Sequence, residues 1–258
     1  MILHAYGCSW TEGEGTDRTI EDTIIDRGKK RVFRNEGSWV NFLSKKLNIS
    51  AVNNAISGNS NNRIFNQVID DIKNEKIKSN DFVTIMWSSS LRDPVPFLPT
   101  GEWVSWSIKH LIETPERFVN SFTSENKSFV DFFSEYKKFF LLNIFNQNYY
   151  NIVNQNYIIF LQKLFEHYGI KYLMCDAIEK MLVDLNDDDD ITHLINKKPY
   201  WSFNSASFRD FLNKTNRLDI WEYQDATFST RATQHPNKIG YEIIASELEN
   251  FILKNKIL

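Results

Sequence analysis

The chain has 258 residues, 42% of them hydrophobic and 24% charged, with a formal net charge of −3. That is an ordinary globular composition, long enough to bury the core of one large α/β domain, and it offers no basic field for nucleic acid. Cys8 and Cys175 lie far apart, and no two of the five histidines are four residues apart, so neither a disulfide framework nor a zinc site is expected.

Residues 1–6 read as a buried first strand, followed by a long polar loop over 11–35. "SWVNFLSKKLNI" has helical periodicity with Ser38 as its cap, and "SAVNNAI" is a short strand. "NSNNRIFNQVIDDIKNEKI" returns to helical spacing, with Ile64, Val68, Ile69 and Ile72 on one face. A turn at 79–81 leads into "FVTIMW", a continuous apolar and β-rich run. The order β-α-β-α-β predicts a parallel sheet with right-handed crossovers. Residues 94–128 form an insertion rich in Trp, Phe and Pro, and 129–168 read as two helices broken around 146–154. "IKYLMCDA" is a fourth strand. Residues 180–225 are irregular apart from a short helix near 205–213, and the last helix starts just after His235. The acidic run 187–190 lacks the alternating ligands and glycine of a calcium loop and is expected to be solvated. No apolar run nears the roughly 18 residues of a membrane span, and the first residues carry no basic region or signal-length apolar stretch. A cytoplasmic protein is therefore expected.

Ligands of open parallel sheets bind at the carboxyl ends of the strands. Ser9, Gly58 and Ser88 to Ser90 each fall just after a predicted strand, so distant segments converge on one edge. A serine nucleophile needs a base within hydrogen-bond reach and donors for an oxyanion. His235, in "QHPNKIGY" before the last helix, is the candidate base.

In these residues and this order the chain resembles the SGNH hydrolases, the GDSL-type esterases and lipases. Gly7-Cys8-Ser9 stands where that family has Gly-Asp-Ser, and Gly58 matches its second block. Trp87-Ser88-Ser89-Ser90 aligns with its Gly-x-Asn-Asp, and Ala232-Thr233-Gln234-His235-Pro236 with its Asp-x-x-His-Pro. "GCSWTEG", "SGNSNNR", "MWSSSLR" and "HPNKIGY" look most like a branch found in bacteriophage and bacterial genomes. The resemblance implies a three-layer α/β/α sandwich with a mostly parallel, flavodoxin-like sheet. It also implies a single domain over 1–258, with insertions at about 94–130 and 180–225.

The same resemblance implies Ser9 as nucleophile, His235 as base, and Ser9, Gly58 and Ser89 around the oxyanion. It implies no cofactor and no metal. Three positions depart from the pattern: Cys8 replaces an aspartate, Ser89 the oxyanion asparagine, and Ala232 the aspartate that orients the histidine. Another acceptor must then serve His235: a backbone carbonyl, Asp225 or Asp219. Cys8 is expected to pack into the sheet. Arg63, Arg92 and Trp87 are candidate substrate contacts, although for an arginine a surface salt bridge is the commoner role. Trp103, Trp106 and Trp201 suit either a pocket wall or core packing. The function implied is a serine esterase acting on an acyl or acetyl ester of a glycan or lipid. The alternative is a catalytically decayed binding or structural protein of the same fold, virion-associated if phage-encoded. The sequence carries no signal of oligomeric state.

Overall fold

The structure, a computed structural model, describes residues 1–16, 32, 34–97, 102–107, 139, 146–182, 191–203, 206–222 and 235–258. Within 93–97 and 102–107 it describes the backbone alone. Four parallel strands form the main sheet: β1 (Ile2–Gly7), β2 (Ser50–Asn53), β3 (Phe82–Trp87) and β6 (Lys171–Asp176), in the order β2-β1-β3-β6. This is the doubly wound pattern, and its strand order reverses between β1 and β3, the place where such sheets bind ligands.

Side-chain alternation divides the core between the two faces of the sheet. Leu3, Ala5, Phe82, Met86, Leu173 and Cys175 point to one side, where they meet α2 (Trp39–Leu47) and α6 (Lys238–Asn255). Tyr6, Val83, Ile85, Trp87, Tyr172 and Met174 point to the other, against α3 (Asn61–Lys73) and α4 (Gln147–Tyr168). The expected α/β/α layering is thus built around β1, β3 and β6, which are apolar on both faces and so read as continuous apolar runs, while the edge strand β2 is largely exposed. Two shorter α-helices are α1 (Ser9–Glu12) and α5 (Phe208–Lys214). No helix among the described residues is long and apolar enough to cross a membrane.

Two elements refine the sequence reading. The break expected around 146–154 falls at its first residue: Asn146 is extended and caps α4 by accepting from the Tyr149 N–H, and α4 then runs unbroken to Tyr168. Its polar residues do not interrupt it because they are used inward: Asn154 donates to the Ser90 carbonyl at 3.2 Å and accepts from Asn61 at 2.8 Å. The insertion holds an antiparallel hairpin, β4 (Arg92–Phe97) and β5 (Glu102–Ser107), which the prolines at 94 and 96 hid. A two-stranded ribbon outside the main sheet leaves edge positions where a missing N–H does no harm.

Asp176, at the carboxyl end of β6, is wholly buried. It accepts the Tyr200 hydroxyl and the Met181 N–H. Burial raises its pKa from 3.8 to about 7, although both hydrogen bonds pull the other way. The folded chain therefore binds more protons here than the unfolded chain between those values, and this contribution to stability falls as pH rises. Asp176→Asn mimics the protonated acid, with its amide facing Tyr200 and its carbonyl facing Met181. The stability of wild type relative to Asp176→Asn, followed by urea titration, is expected to fall between pH 3.8 and about 7.

Candidate active site

Ser9 is the first residue of α1, immediately after β1. The turn closes through the Ser9 carbonyl, which accepts from Gly13 at 3.1 Å and Glu14 at 3.0 Å. At that position the Ser9 N–H has no acceptor within the helix. Its hydroxyl lies 2.8 Å from His235 Nε2, across 226 residues of sequence. Cys8 points the other way, fully buried in the core with Leu3 and Ala5, so it is the packing residue expected.

His235 is placed by a short antiparallel pairing. Trp221 bridges Pro236, the Glu222 N–H donates to the His235 carbonyl at 3.1 Å, and the Asn237 N–H donates to the Ile220 carbonyl at 2.9 Å. Asn237 then caps α6, accepting from the Ile239 and Gly240 N–H groups. Trp10 lies beside the imidazole with ring centroids 6.5 Å apart, and Trp221 packs edge-on against Trp10.

That pairing brings a third residue to the site. Glu222, with its side chain only 2% exposed, places Oε2 3.9 Å from His235 Nδ1. Among the described residues, the carboxylate that faces the far nitrogen of the imidazole is Glu222. Asp219 does not take this role: it is exposed and paired with Arg217, and only its carbonyl is used, accepting from the Asn237 amide. Asp225 lies outside the described residues.

Gly58 follows β2 with φ +82, a conformation that favours glycine, in a turn closed by the Asn59 N–H to the Ile56 carbonyl at 3.0 Å. The acidic residues after Ser9 hold this loop. Glu12 accepts the Ser57 N–H at 2.9 Å and Glu14 accepts the Ser57 hydroxyl at 2.6 Å. Arg34 lies 3.5 Å from Glu12 and 3.9 Å from Glu14. Asn59, next to Gly58, is 1% exposed, and its amide nitrogen and oxygen have no hydrogen-bond partner among the described residues.

Ser89 is a correction. Its hydroxyl donates to Glu179 at 2.9 Å, and the same carboxylate oxygen takes the Ser90 N–H and hydroxyl, so the Ser89 proton is committed away from an oxyanion. Trp87 is a second correction. It is fully buried against the α3 and α4 face, so it packs the core and does not contact a substrate. Trp201 is likewise core, stacked on Phe208 and donating to Glu247. The side chains of Trp103 and Trp106, and the acidic run 187–190, lie outside what is described. Arg92 donates to the Asn59 carbonyl at 3.2 Å, and Arg63 lines a cleft of about 670 Å³ beside α3 with Asn59 and Asn62.

The segment after Ser9 also fits tightly against His235. Gly15 has φ +100, and a Cβ there would lie 2.7 Å from the Pro236 carbonyl oxygen and 2.9 Å from the His235 Cβ. Gly15→Ala is expected to lower stability by about 2 kcal/mol or more, through left-handed strain and a clash with backbone. A thermal melt checks this, and an unchanged melting temperature would contradict it.

No family model matches the sequence, and neither does any curated protein. Solved structures to which the chain is similar include a protein assigned to the lipolytic G-D-S-L family from Desulfitobacterium hafniense DCB-2. That match has 12% identity and a TM-score of 0.41, over 100% of this chain and 99% of the other. Another is the acetyl xylan esterase AlAXEase, with 16% identity and a TM-score of 0.45, over 97% of this chain and 98% of the other. A third is LAE5, an α/β hydrolase enzyme from the metagenome of Lake Arreo, Spain. It has 12% identity and a TM-score of 0.43, over 100% of this chain and 95% of the other.

Proposed function

We propose that the chain is a serine ester hydrolase of the SGNH type, acting on an acyl or acetyl ester of a glycan or lipid. The observation that carries this reading is the 2.8 Å contact between the Ser9 hydroxyl and His235 Nε2, because a hydrogen-bonded base is what makes a serine hydroxyl a nucleophile. Ser9 Oγ attacks the ester carbonyl carbon as its proton passes to Nε2. The negative charge collects on the carbonyl oxygen, where the N–H groups of Ser9 and Gly58 are the donors in this reading. Asn59, whose buried amide lacks a partner, takes the place that Ser89 has given up to Glu179. The intermediate then breaks its bond to the alcohol oxygen, which leaves with the proton from Nε2. Water, activated by the same nitrogen, releases the acyl group. Glu222 stabilises the imidazolium formed in both halves.

Mixing the protein with p-nitrophenyl acetate tests the reading. A burst of p-nitrophenol with an acetyl group mapped to Ser9 is expected. The second reading, a binding or structural module with decayed chemistry, draws on the engaged Ser89 hydroxyl. A folded chain that neither turns over the ester nor carries acetyl on Ser9 would favour it.

A further inference from the structure

The residues after the nucleophile hold a carboxylate that the mechanism above does not use. Glu14 Oε2 lies 3.7 Å from His235 Nε2, the nitrogen that also contacts the Ser9 hydroxyl. Its position is fixed from several sides. The Glu14 N–H donates to the Ser9 carbonyl at 3.0 Å, and the Glu14 carbonyl accepts the Tyr241 hydroxyl at 2.7 Å. The side chain accepts the Ser57 hydroxyl at 2.6 Å, and Arg34 stands 3.9 Å from its other oxygen.

The proposed chemistry then places the substrate relative to this charge. To be protonated, the leaving alcohol oxygen must come within about 2.6–3.2 Å of Nε2. The leaving oxygen therefore lies within about 7 Å of Glu14 Oε2, while the acyl portion is fixed by the attack on its carbonyl carbon. Among the described residues, Glu14 and Glu222 lie within 4 Å of His235, and Arg34 is the cation paired with Glu14 and with Glu12. Opposite charges at such range attract strongly where water is partly excluded, and like charges repel.

Resting on the hydrolase reading, we propose that Glu14 is a specificity-determining residue. Its carboxylate, held beside Nε2, selects esters whose alcohol portion bears a positive charge near the ester oxygen and disfavours those that bear a negative one. It acts on the leaving group and leaves the choice of acyl group to other residues.

Acetylcholine and 3,3-dimethylbutyl acetate test this, since they are near-isosteres that differ in one positive charge. Wild type is expected to favour acetylcholine by about tenfold in kcat/KM, and Glu14→Gln to bring the ratio close to one. A second measurement needs no variant: in wild type the ratio should shrink as sodium chloride is raised, because salt screens a partly exposed charge. A wild-type ratio near one overturns the proposal. So does a ratio that Glu14→Gln leaves unchanged while its thermal melt shows it folded. Charge-blind turnover of both esters overturns this proposal alone. Turnover of neither, without labelling of Ser9 by a fluorophosphonate, overturns the hydrolase reading and this proposal with it.

Discussion

Ser9→Ala is expected to lower kcat by about 10⁴- to 10⁶-fold with little change in KM. The hydroxyl supplies the bond-forming oxygen, and no other described group replaces it: Cys8, its neighbour, is fully buried on the far side of the turn. The fold should tolerate the change. Alanine suits a first helical position, and the one side-chain hydrogen bond removed is the contact to His235. His235→Ala should cost about as much, and the double variant little more than either, because the two residues act as one unit. Steady-state kinetics on p-nitrophenyl acetate with burst analysis reads all three. Independent, additive losses would mean that Ser9 and His235 do not share a proton.

Glu222→Gln carries the second large effect. At about 4 Å, with an effective dielectric near 20, a carboxylate and an imidazolium attract by about 4 kcal/mol. Glu222 is almost wholly buried at 3.9 Å from Nδ1, so most of that attraction is unscreened. It develops only as His235 takes the proton from Ser9. The loss should therefore appear in kcat, at about a thousandfold, and leave ground-state binding nearly intact. Glu222→Asp should recover part of the rate, because the charge remains at a longer distance. A Glu222→Gln variant with wild-type kcat would show that another group orients the imidazole.

These two expectations differ in how far the sequence could reach them. Ser9 was legible because local signals agree: a β-rich run ends at Gly7, and glycines and acidic residues follow at once. His235 was legible through the "HPN" that starts α6, where Asn237 is the cap. Glu222 was not legible. The resemblance pointed to the place of Ala232, whereas Glu222 comes to face Nδ1 through an antiparallel pairing between Trp221 and Pro236 that no periodicity announces. Ser89 failed for a similar reason: its partner, Glu179, is 90 residues away. Glu12 and Glu14, after Ser9, hold Ser57 through contacts that only the folded turn creates.

The fold shows the same division. The inner strands β1 and β3, and β6, are apolar on both faces, so their composition declares them. The break expected around 146–154 falls at Asn146, and the Asn residues that follow lie within α4. In the structure Asn151 and Asn154 are buried, and Asn154 ties α4 to the loop after β3 through Asn61 and the Ser90 carbonyl. Buried amides with partners do not end a helix, and partners cannot be read from one segment alone.

The account rests on an activated Ser9, and labelling with a fluorophosphonate probe measures that activation without knowing the substrate. The expected result is stoichiometric labelling of the folded wild type, mapped to Ser9 and lost in both Ser9→Ala and His235→Ala. A folded wild-type chain that stays unlabelled, or that is labelled elsewhere, would contradict it.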